Sequence, residues 1–324
     1  MAELVNFDRR QFMRYAAAGL SVVYVPAARS GSETLVLGTA TAGGGFEVYG
    51  KALADVLNAA NGGIRIEPRA TKGTKENLPL LEAGKLDLGL VEGTAAHEAH
   101  AGMDGPAAKS RIVWAMYPNP GMFVVRADST YRTIEDLKGK RVAFGARASG
   151  LVVLARYVLD GIGLDPQRDF EAVYLDKAAE GAKLVLAGEV AALWGGGMAW
   201  PGFRQVADAP AGARFIVPNA EQLARIQSRH AFLKESTVPA GSYRGQDSDL
   251  PSVGSWALVL ARPTLSEQTA YQLSKALHAN EQAFAARLAQ ARYSTAANTI
   301  AAAPRADLIH PGTQRLLREL GLQR

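Results

Sequence analysis

The sequence contains no cysteine among its 324 residues. This absence excludes disulfide bonds, a lipid anchor on an N-terminal cysteine, thiolate catalysis and cysteine-ligated metal sites. Runs of one charge are also missing, because the formal net charge of +5 is dispersed along the chain. Since no cluster of lysine and arginine is interleaved with aromatic residues, the sequence does not indicate nucleic-acid binding.

Motifs for catalysis and for nucleotide binding are absent as well. The chain has neither a G-x-x-x-x-G-K-[ST] loop nor a G-x-G-x-x-G with the required spacing. It has no G-x-S-x-G elbow, and His97 and His100 stand three residues apart, which is not the H-E-x-x-H spacing of a zinc site. We therefore predict no cofactor, no metal site and no enzymatic activity.

Long apolar runs are missing too, since no stretch approaches the ~20 residues that span a membrane. The N-terminus instead resembles a twin-arginine export signal, in which Arg9 and Arg10 precede a short apolar run at residues 16–25. Asp8 departs from the serine or threonine that is usual in such signals. We expect residues 1–30 to be removed on export to the periplasm. An amphipathic helix with a chance arginine pair is the alternative.

What is present is an alternation of apolar strands, polar turns and amphipathic helices. Residues 35–57 read as a strand, a loop rich in glycine and threonine, and a helix that begins near Phe46. The loop leaves backbone N–H groups uncovered at the positive end of the helix dipole, which suits a carboxylate or another anion. Its candidate binding residues are Thr39, Thr41, Gly43, Gly44, Gly45 and Phe46. A tight turn without a ligand is the alternative.

Two more turns follow the same plan. The strand at residues 64–67 leads to Gly73, to Thr74 as a candidate N-cap, and to Asn77. The next strand, at residues 86–91, ends at Glu92. Because ligands bind at the C-terminal ends of strands in open α/β sheets, we expect all three turns to converge on one crevice.

The same strand–turn–helix pattern recurs in the middle of the chain. A strand at residues 140–144 precedes a turn with Arg147, Ser149 and Gly150, and a helix follows. Arg147 could hold a carboxylate through two hydrogen bonds, or it could be a solvated surface residue.

Weaker predictions concern three later segments. A strand at residues 191–194 leads into Gly196 and Gly197, where a ligand could approach the backbone closely; a flexible loop is the alternative. Residues 266–292 read as a helix, and the polar segment around Tyr243 as a lid or a surface loop.

Taken together, these blocks resemble the TAXI family of extracytoplasmic solute receptors, which serve tripartite ATP-independent periplasmic (TRAP) transporters. The resemblance runs in order from about residue 34 to residue 322. It is carried by GTATAGGGFEVYGKALADVLN, KGTKENLPLLEAGKLDLGLVEG, WAMYPNPGMFVVRADSTYRTIEDLKGKRVAFGARASG, VPAGSYRGQDSDLPSVGSWALVLARP and IHPGTQRLLRELG.

The resemblance implies a two-lobed α/β fold of the type II periplasmic-binding-protein kind, with a ligand cleft between the lobes. Lobe I would comprise residues 34–125 and 255–324, and lobe II residues 126–254. The implied function is capture of a small carboxylate-containing solute by hinge closure and its delivery to the membrane subunits of a TRAP transporter. The alternative is a small-molecule enzyme that uses the glycine-rich turn to bind an anionic substrate or a nucleotide.

Glu92 departs from the family pattern, because similar receptors commonly carry glutamine there. An ionised glutamate only accepts hydrogen bonds and would repel a purely anionic ligand in a desolvated cleft. We therefore expect a solute that carries an amine beside its carboxylate, namely an amino acid such as glutamate or glutamine. The alternative is that Glu92 faces solvent or pairs with a lysine such as Lys72.

Overall fold

The computed structural model describes residues 32–323, so the predicted export signal lies outside the described residues. The described chain alternates ten β-strands with eleven α-helices. Between residues 32 and 323, none of these helices combines the length and the apolarity needed to cross a bilayer.

The elements follow one another in the order that the sequence predicts for an α/β protein. The strands are β1 (Glu33–Gly38), β2 (Ile64–Arg69), β3 (Leu88–Glu92), β4 (Arg111–Arg126), β5 (Arg141–Ala146), β6 (Glu171–Leu175), β7 (Ala192–Gly196), β8 (Ala213–Ile216), β9 (Lys234–Val238) and β10 (Leu250–Ala261). The helices are α1 (Gly45–Ala59), α2 (Thr74–Glu82), α3 (Gly93–Ala101), α4 (Gly150–Gly161), α5 (Glu180–Ala187), α6 (Pro201–Ala207), α7 (Ala220–Arg229), α8 (Glu267–Ala279), α9 (Glu281–Arg287), α10 (Ala296–Ala302) and α11 (Pro311–Glu319).

All ten strands belong to one curled sheet. Its main path runs β2-β1-β3-β10-β4-β7-β5-β6, and β8 pairs with β4 while β9 pairs with β10. Strands β1, β2 and β3 are parallel, whereas β10 runs antiparallel between β3 and β4. Strands β5, β6 and β7 form a second parallel group beyond β4.

Strands β4 and β10 connect the two parallel groups. Up to Pro120, β4 pairs with β10, and from Gly121 onward it pairs with β7 and β8. The crossing is tight at Gly254, where an added Cβ would lie 1.9 Å from the carbonyl oxygen of Asn119. We name the part before residue 121 and after residue 254 lobe I, and the part between them lobe II.

Each lobe has its own apolar core. In lobe I, Leu37 of β1 and Leu53 of α1 are buried in one cluster with Trp114. In lobe II, Phe123 and Trp194 pack edge to face with ring centroids 4.8 Å apart. Burying each such side chain contributes about 1.5–3 kcal/mol, and these two cores hold the turns between them in fixed positions.

Two predictions about the later segments were wrong or incomplete. Residues 266–292 do not form one helix, because α8 ends at Ala279 and α9 begins at Glu281. Asn280 breaks the run, and its side-chain amide donates to the carbonyl of Ala276 at 2.8 Å, a local bond that competes with helix continuation. The polar segment around Tyr243 is a largely exposed loop, as one of the two alternatives predicts, but the Tyr243 side chain itself is buried in the core of lobe II.

Candidate ligand-binding cleft

A small cavity lies where the turns of lobe I meet those of lobe II. Its volume is about 50 Å³, which is room for about three to five water-sized groups at ~10–15 Å³ each. From lobe I it is lined by Ala40, Thr41, Gly44, Gly45, Phe46, Lys72, Gly73, Thr74, Glu92, Tyr117 and Asn119. From lobe II it is lined by Gly145, Ala146, Ser149, Gly150, Leu151, Ala178, Trp194, Gly196 and Trp200.

The structure brings together most of the residues predicted to bind ligand. Those that line the cavity are Thr41, Gly44, Gly45, Phe46, Gly73, Thr74, Glu92, Ser149, Gly150 and Gly196. Those that lie outside its lining are Thr39, Gly43, Asn77, Arg147 and Gly197. Contact with a ligand stays a prediction for every one of them.

Thr39 and Asn77 are buried and hold the backbone under the cavity. The Asn77 amide donates to the carbonyls of Gly38 and Thr39 at 3.2 and 2.8 Å, and to that of Leu90 at 2.8 Å. The Thr39 hydroxyl donates to the last carbonyl of β2 at 3.1 Å. These bonds tie the ends of β1, β2 and β3 together, which positions the turns that follow those strands.

Arg147 and Gly197 have partners away from the cavity. The Arg147 guanidinium is exposed and lies over the Tyr174 ring, 5.4 Å from its centroid. Gly197 has a φ of +86°, and its carbonyl accepts a hydrogen bond from the buried Tyr243 hydroxyl at 2.7 Å. In this arrangement of the lobes, Arg147 is therefore a surface cation that stacks on an aromatic ring.

The glycines of the turns allow the two lobes to approach each other. A Cβ added to Gly150 would lie 2.2 Å from Cβ of Glu92, and one added to Gly43 would lie 2.5 Å from Cβ of Ala179. Real side chains do not approach so closely, so both sites accept only glycine in this arrangement. The sequence analysis selects these glycines as ligand-binding candidates because their backbone N–H groups are uncovered. The structure shows that they also allow close contact between the lobes.

Hydrogen bonds between the lobes show that the cleft is closed. The Ala178 N–H of lobe II donates to the Thr41 hydroxyl at 3.2 Å. In the other direction, the Lys75 N–H of lobe I donates to the carbonyl of Ala148 at 3.1 Å. Such bonds span the mouth of the cavity and would break if the lobes separated.

Two buried polar side chains face the cavity without a protein partner. Tyr117 and Asn119 are 2% and 3% exposed, and among residues 32–323 neither the hydroxyl nor the amide makes a hydrogen bond to protein. Burial raises the pKa of Tyr117, so its hydroxyl stays neutral at physiological pH. Their polar atoms are not among the fully enclosed ones that lack a partner, so water or a solute in the cavity can reach them.

The aliphatic carbons of Glu92 face the cavity, while its carboxylate caps helix α3. One oxygen accepts from the N–H groups of Thr94 and Ala95 at 3.0 and 3.3 Å. The other accepts from the hydroxyls of Thr94 and Ser255. Burial raises the pKa of Glu92 to about 7, against the opposing effect of these four donors. At 1% exposure, Glu92 does not face solvent.

Three helices begin at the cavity wall, which makes it suitable for an anion. Helices α1, α2 and α4 start at Gly45, Thr74 and Gly150, and within the described chain the N–H groups of these three residues have no protein acceptor. Each N-terminus carries a partial positive charge. Lys72 adds a full positive charge at the exposed edge of the same wall.

The arrangement of strands and cleft is that of a two-lobed binding-protein fold. The chain belongs to the NMT1-like family, whose model matches residues 37–321. A solved protein of Bordetella bronchiseptica RB50 is 13% identical, with a TM-score of 0.53, over 90% of this chain and 99% of that one.

More distant structures include two binding proteins. The alkanesulfonate-binding protein SsuA from Xanthomonas axonopodis pv. citri is 20% identical, with a TM-score of 0.48, over 91% of this chain and 95% of that one. An arginine transport-system periplasmic binding protein from Legionella pneumophila is 13% identical, with a TM-score of 0.47, over 80% of this chain and 98% of that one. The strand order and the cleft between the two groups of strands confirm the predicted two-lobed α/β fold.

Proposed function

We propose that this chain is an extracytoplasmic solute receptor of the TAXI type, which delivers a small carboxylate-containing solute to the membrane subunits of a TRAP transporter. The observation that carries the proposal is the cavity that both lobes line, with inward polar groups that have no protein partner. The sequence blocks that resemble TAXI receptors contribute most of its lobe I wall. No chemical step is implied.

The solute carboxylate is held by the N-termini of α1, α2 and α4, with Lys72 at the edge. An amino acid such as glutamate or glutamine also carries an ammonium group, which needs acceptors. Because Glu92 already accepts four hydrogen bonds from protein donors, we assign the ammonium to the side-chain oxygens of Asn119 and Tyr117. The closed cavity is too small for glutamate as it stands, so its walls must move apart to admit that solute, and a smaller amino acid fits more easily.

Capture proceeds by hinge closure about β4 and β10. A ligand that contacts both walls interacts fully only when the lobes meet, so its binding shifts the population toward the closed form. The cross-lobe bonds of Thr41 and Lys75 then form together with the ligand contacts. Periplasmic location and the transporter partner follow from the resemblance of the N-terminal signal and of the TAXI blocks.

The enzyme alternative is disfavoured by the glycine-rich turn itself. A nucleotide phosphate would need free space next to Gly43 and Gly44, yet Ala179 and Ala178 of lobe II occupy it. Binding there would require the lobes to separate.

The test is a thermal-shift screen of the protein without its signal, followed by calorimetry on each solute that raises the melting temperature. Glutamate is compared with glutarate, which lacks only the amine. We expect one-to-one binding, a smaller radius of gyration in scattering, and recovery of an unchanged solute. Turnover of the solute, or nucleotide binding instead, would contradict the proposal.

Two variants locate the ammonium group. Asn119→Leu should abolish the preference for glutamate over glutarate, whereas Glu92→Gln should keep it. The opposite outcome would assign amine recognition to Glu92. Circular-dichroism melting of both variants checks that the fold is intact.

A further inference from the structure

A second and larger cavity, which we call the side cavity, lies beside helix α3. Its volume is about 400 Å³, within the ~300–1,000 Å³ range of small-molecule sites. Its walls come from α3, α10, strand β10 and the segment between α7 and β9. It shares no lining residue with the cleft, so it is a separate compartment of the molecule.

The floor of the side cavity consists of buried apolar residues that pack against one another. Ala96, Ile112 and Leu258 are at most 2% exposed and belong to one packed cluster. Trp256 and Phe232 are only partly buried and present aromatic surface to the cavity. The Phe232 ring is fixed in place by a parallel stack on His97, with centroids 4.1 Å apart. Such a floor binds an apolar chain or ring by the hydrophobic effect.

The ionisable groups that line the side cavity are all basic, while Asp307 and Glu98 lie beside them outside the lining. Its lining includes Lys234, Arg305, His97 and His100, and no aspartate or glutamate within the described chain lines it. Burial lowers the pKa of both histidines, so the cations at neutral pH are Lys234 and Arg305, both exposed at the rim.

The two rim cations are only partly engaged by protein. Lys234 donates to the carbonyl of Ala231 at 3.1 Å. Arg305 forms an exposed pair with Asp307 through two hydrogen bonds, Nε to Oδ1 at 3.0 Å and Nη2 to Oδ2 at 2.9 Å, which leaves its Nη1 group without a bond to Asp307. Each retains donors for a ligand, since an ammonium has three N–H groups and a guanidinium five.

We propose that the side cavity is a second ligand site, which binds a monocarboxylate with an apolar chain or ring. The apolar body lies on Ile112, Leu258 and Trp256, and the carboxylate faces Lys234 and Arg305. An amphiphile with a cationic head finds no acidic partner in this lining. A neutral apolar molecule packs against the floor but forms no ion pair with the rim cations. The site therefore differs in chemistry from the cleft, where the solute is polar throughout.

The experiment compares three eight-carbon probes by calorimetry on the protein without its signal. Octanoate should bind, octanol should bind more weakly, and octylamine should give no saturable heat. Ala301→Trp fills the cavity from an exposed lining position and should weaken octanoate binding at least about tenfold. The matched control is Ala297→Trp, an exposed position on the same helix outside the lining, which should bind as the wild type does.

A third variant tests the head group. Lys234→Gln should weaken octanoate about two- to fivefold, the size expected for an exposed ion pair, and leave octanol unchanged. Equal effects of the two tryptophan variants, equal binding of octanoate and octylamine, or no octanoate binding to wild type would each overturn the proposal. Circular-dichroism melts confirm that the variants are folded.

Discussion

Replacing Gly150 by alanine tests whether the closed cleft depends on close contact between glycine and the opposite lobe. Gly150 is the first residue of α4 and does not have a positive φ, so alanine fits the local backbone. The three atoms nearest to the new methyl group all belong to lobe I. Across the cleft it would lie 2.2 Å from Cβ of Glu92 and 3.0 Å from the hydroxyl oxygen of Thr74.

The expected loss of ligand affinity depends on the fact that the clash occurs only in the closed form. Forcing one methyl into a packed contact costs about 1–3 kcal/mol, and only the closed form pays it. Ligand affinity should therefore fall about 5- to 150-fold. The free energy of unfolding of the ligand-free, open protein should stay unchanged or rise slightly, since alanine favours helix more than glycine does.

Calorimetry with the solute found in the screen measures the affinity, and urea unfolding of the ligand-free protein measures the stability. Gly62→Ala is the matched control, because Gly62 also lacks a positive φ and an added Cβ there meets only Ala276, at 3.8 Å. The reasoning is refuted if Gly150→Ala binds as tightly as the control. It is equally refuted if its unfolding free energy falls as much as its binding free energy.

Three further predictions concern Thr41, Glu92 and the arginine pair of the N-terminal signal. Thr41→Val removes the cross-lobe bond to Ala178 and should weaken solute binding about 2- to 13-fold, a loss of ~0.5–1.5 kcal/mol measurable by calorimetry. The Glu92 pKa is raised from 4.5 to about 7 by burial, so its contribution to stability is fully present below pH 4.5 and is lost as pH rises through 7. Urea midpoints at pH 5 and pH 8 should therefore differ more in the wild type than in Glu92→Gln, and equal differences would contradict this. Replacing Arg9 and Arg10 by lysine should stop export of a folded reporter fused to residues 1–35, and unchanged export would argue against a twin-arginine signal.

The sequence predicts the strand–turn–helix units well because their signals are local. Apolar runs, glycine-rich turns and helical periodicity lie next to each other along the chain, so the starts of α1, α2 and α4 at the cavity could be expected. Local patterns do not show which way a polar side chain points. Thr39 and Asn77 follow strands as Thr41 and Thr74 do, yet they bond to backbone carbonyls beneath the cavity.

The cavity residues that sequence reasoning missed belong to a strand that crosses between the lobes. Tyr117 and Asn119 alternate with Pro118 and Pro120 in the middle of β4, and prolines argue against a central strand. The sequence patterns therefore predict no strand at Tyr117 or Asn119. Their position becomes clear once β10 is known to pair with β4, and that pairing joins segments too far apart in sequence for a local pattern to reveal.

The position of β10 also dictates the order in which the molecule can be assembled. In the finished sheet β10 fills the gap between β3 and β4, although nearly all of lobe II is synthesised before it. Until residues 250–261 are available, β3 and β4 each present an open edge that invites pairing with other chains. Lobe II contains its remaining strands within one continuous segment and can form first. Lobe I must wait for a long loop to close, which makes its assembly the slow and aggregation-exposed step.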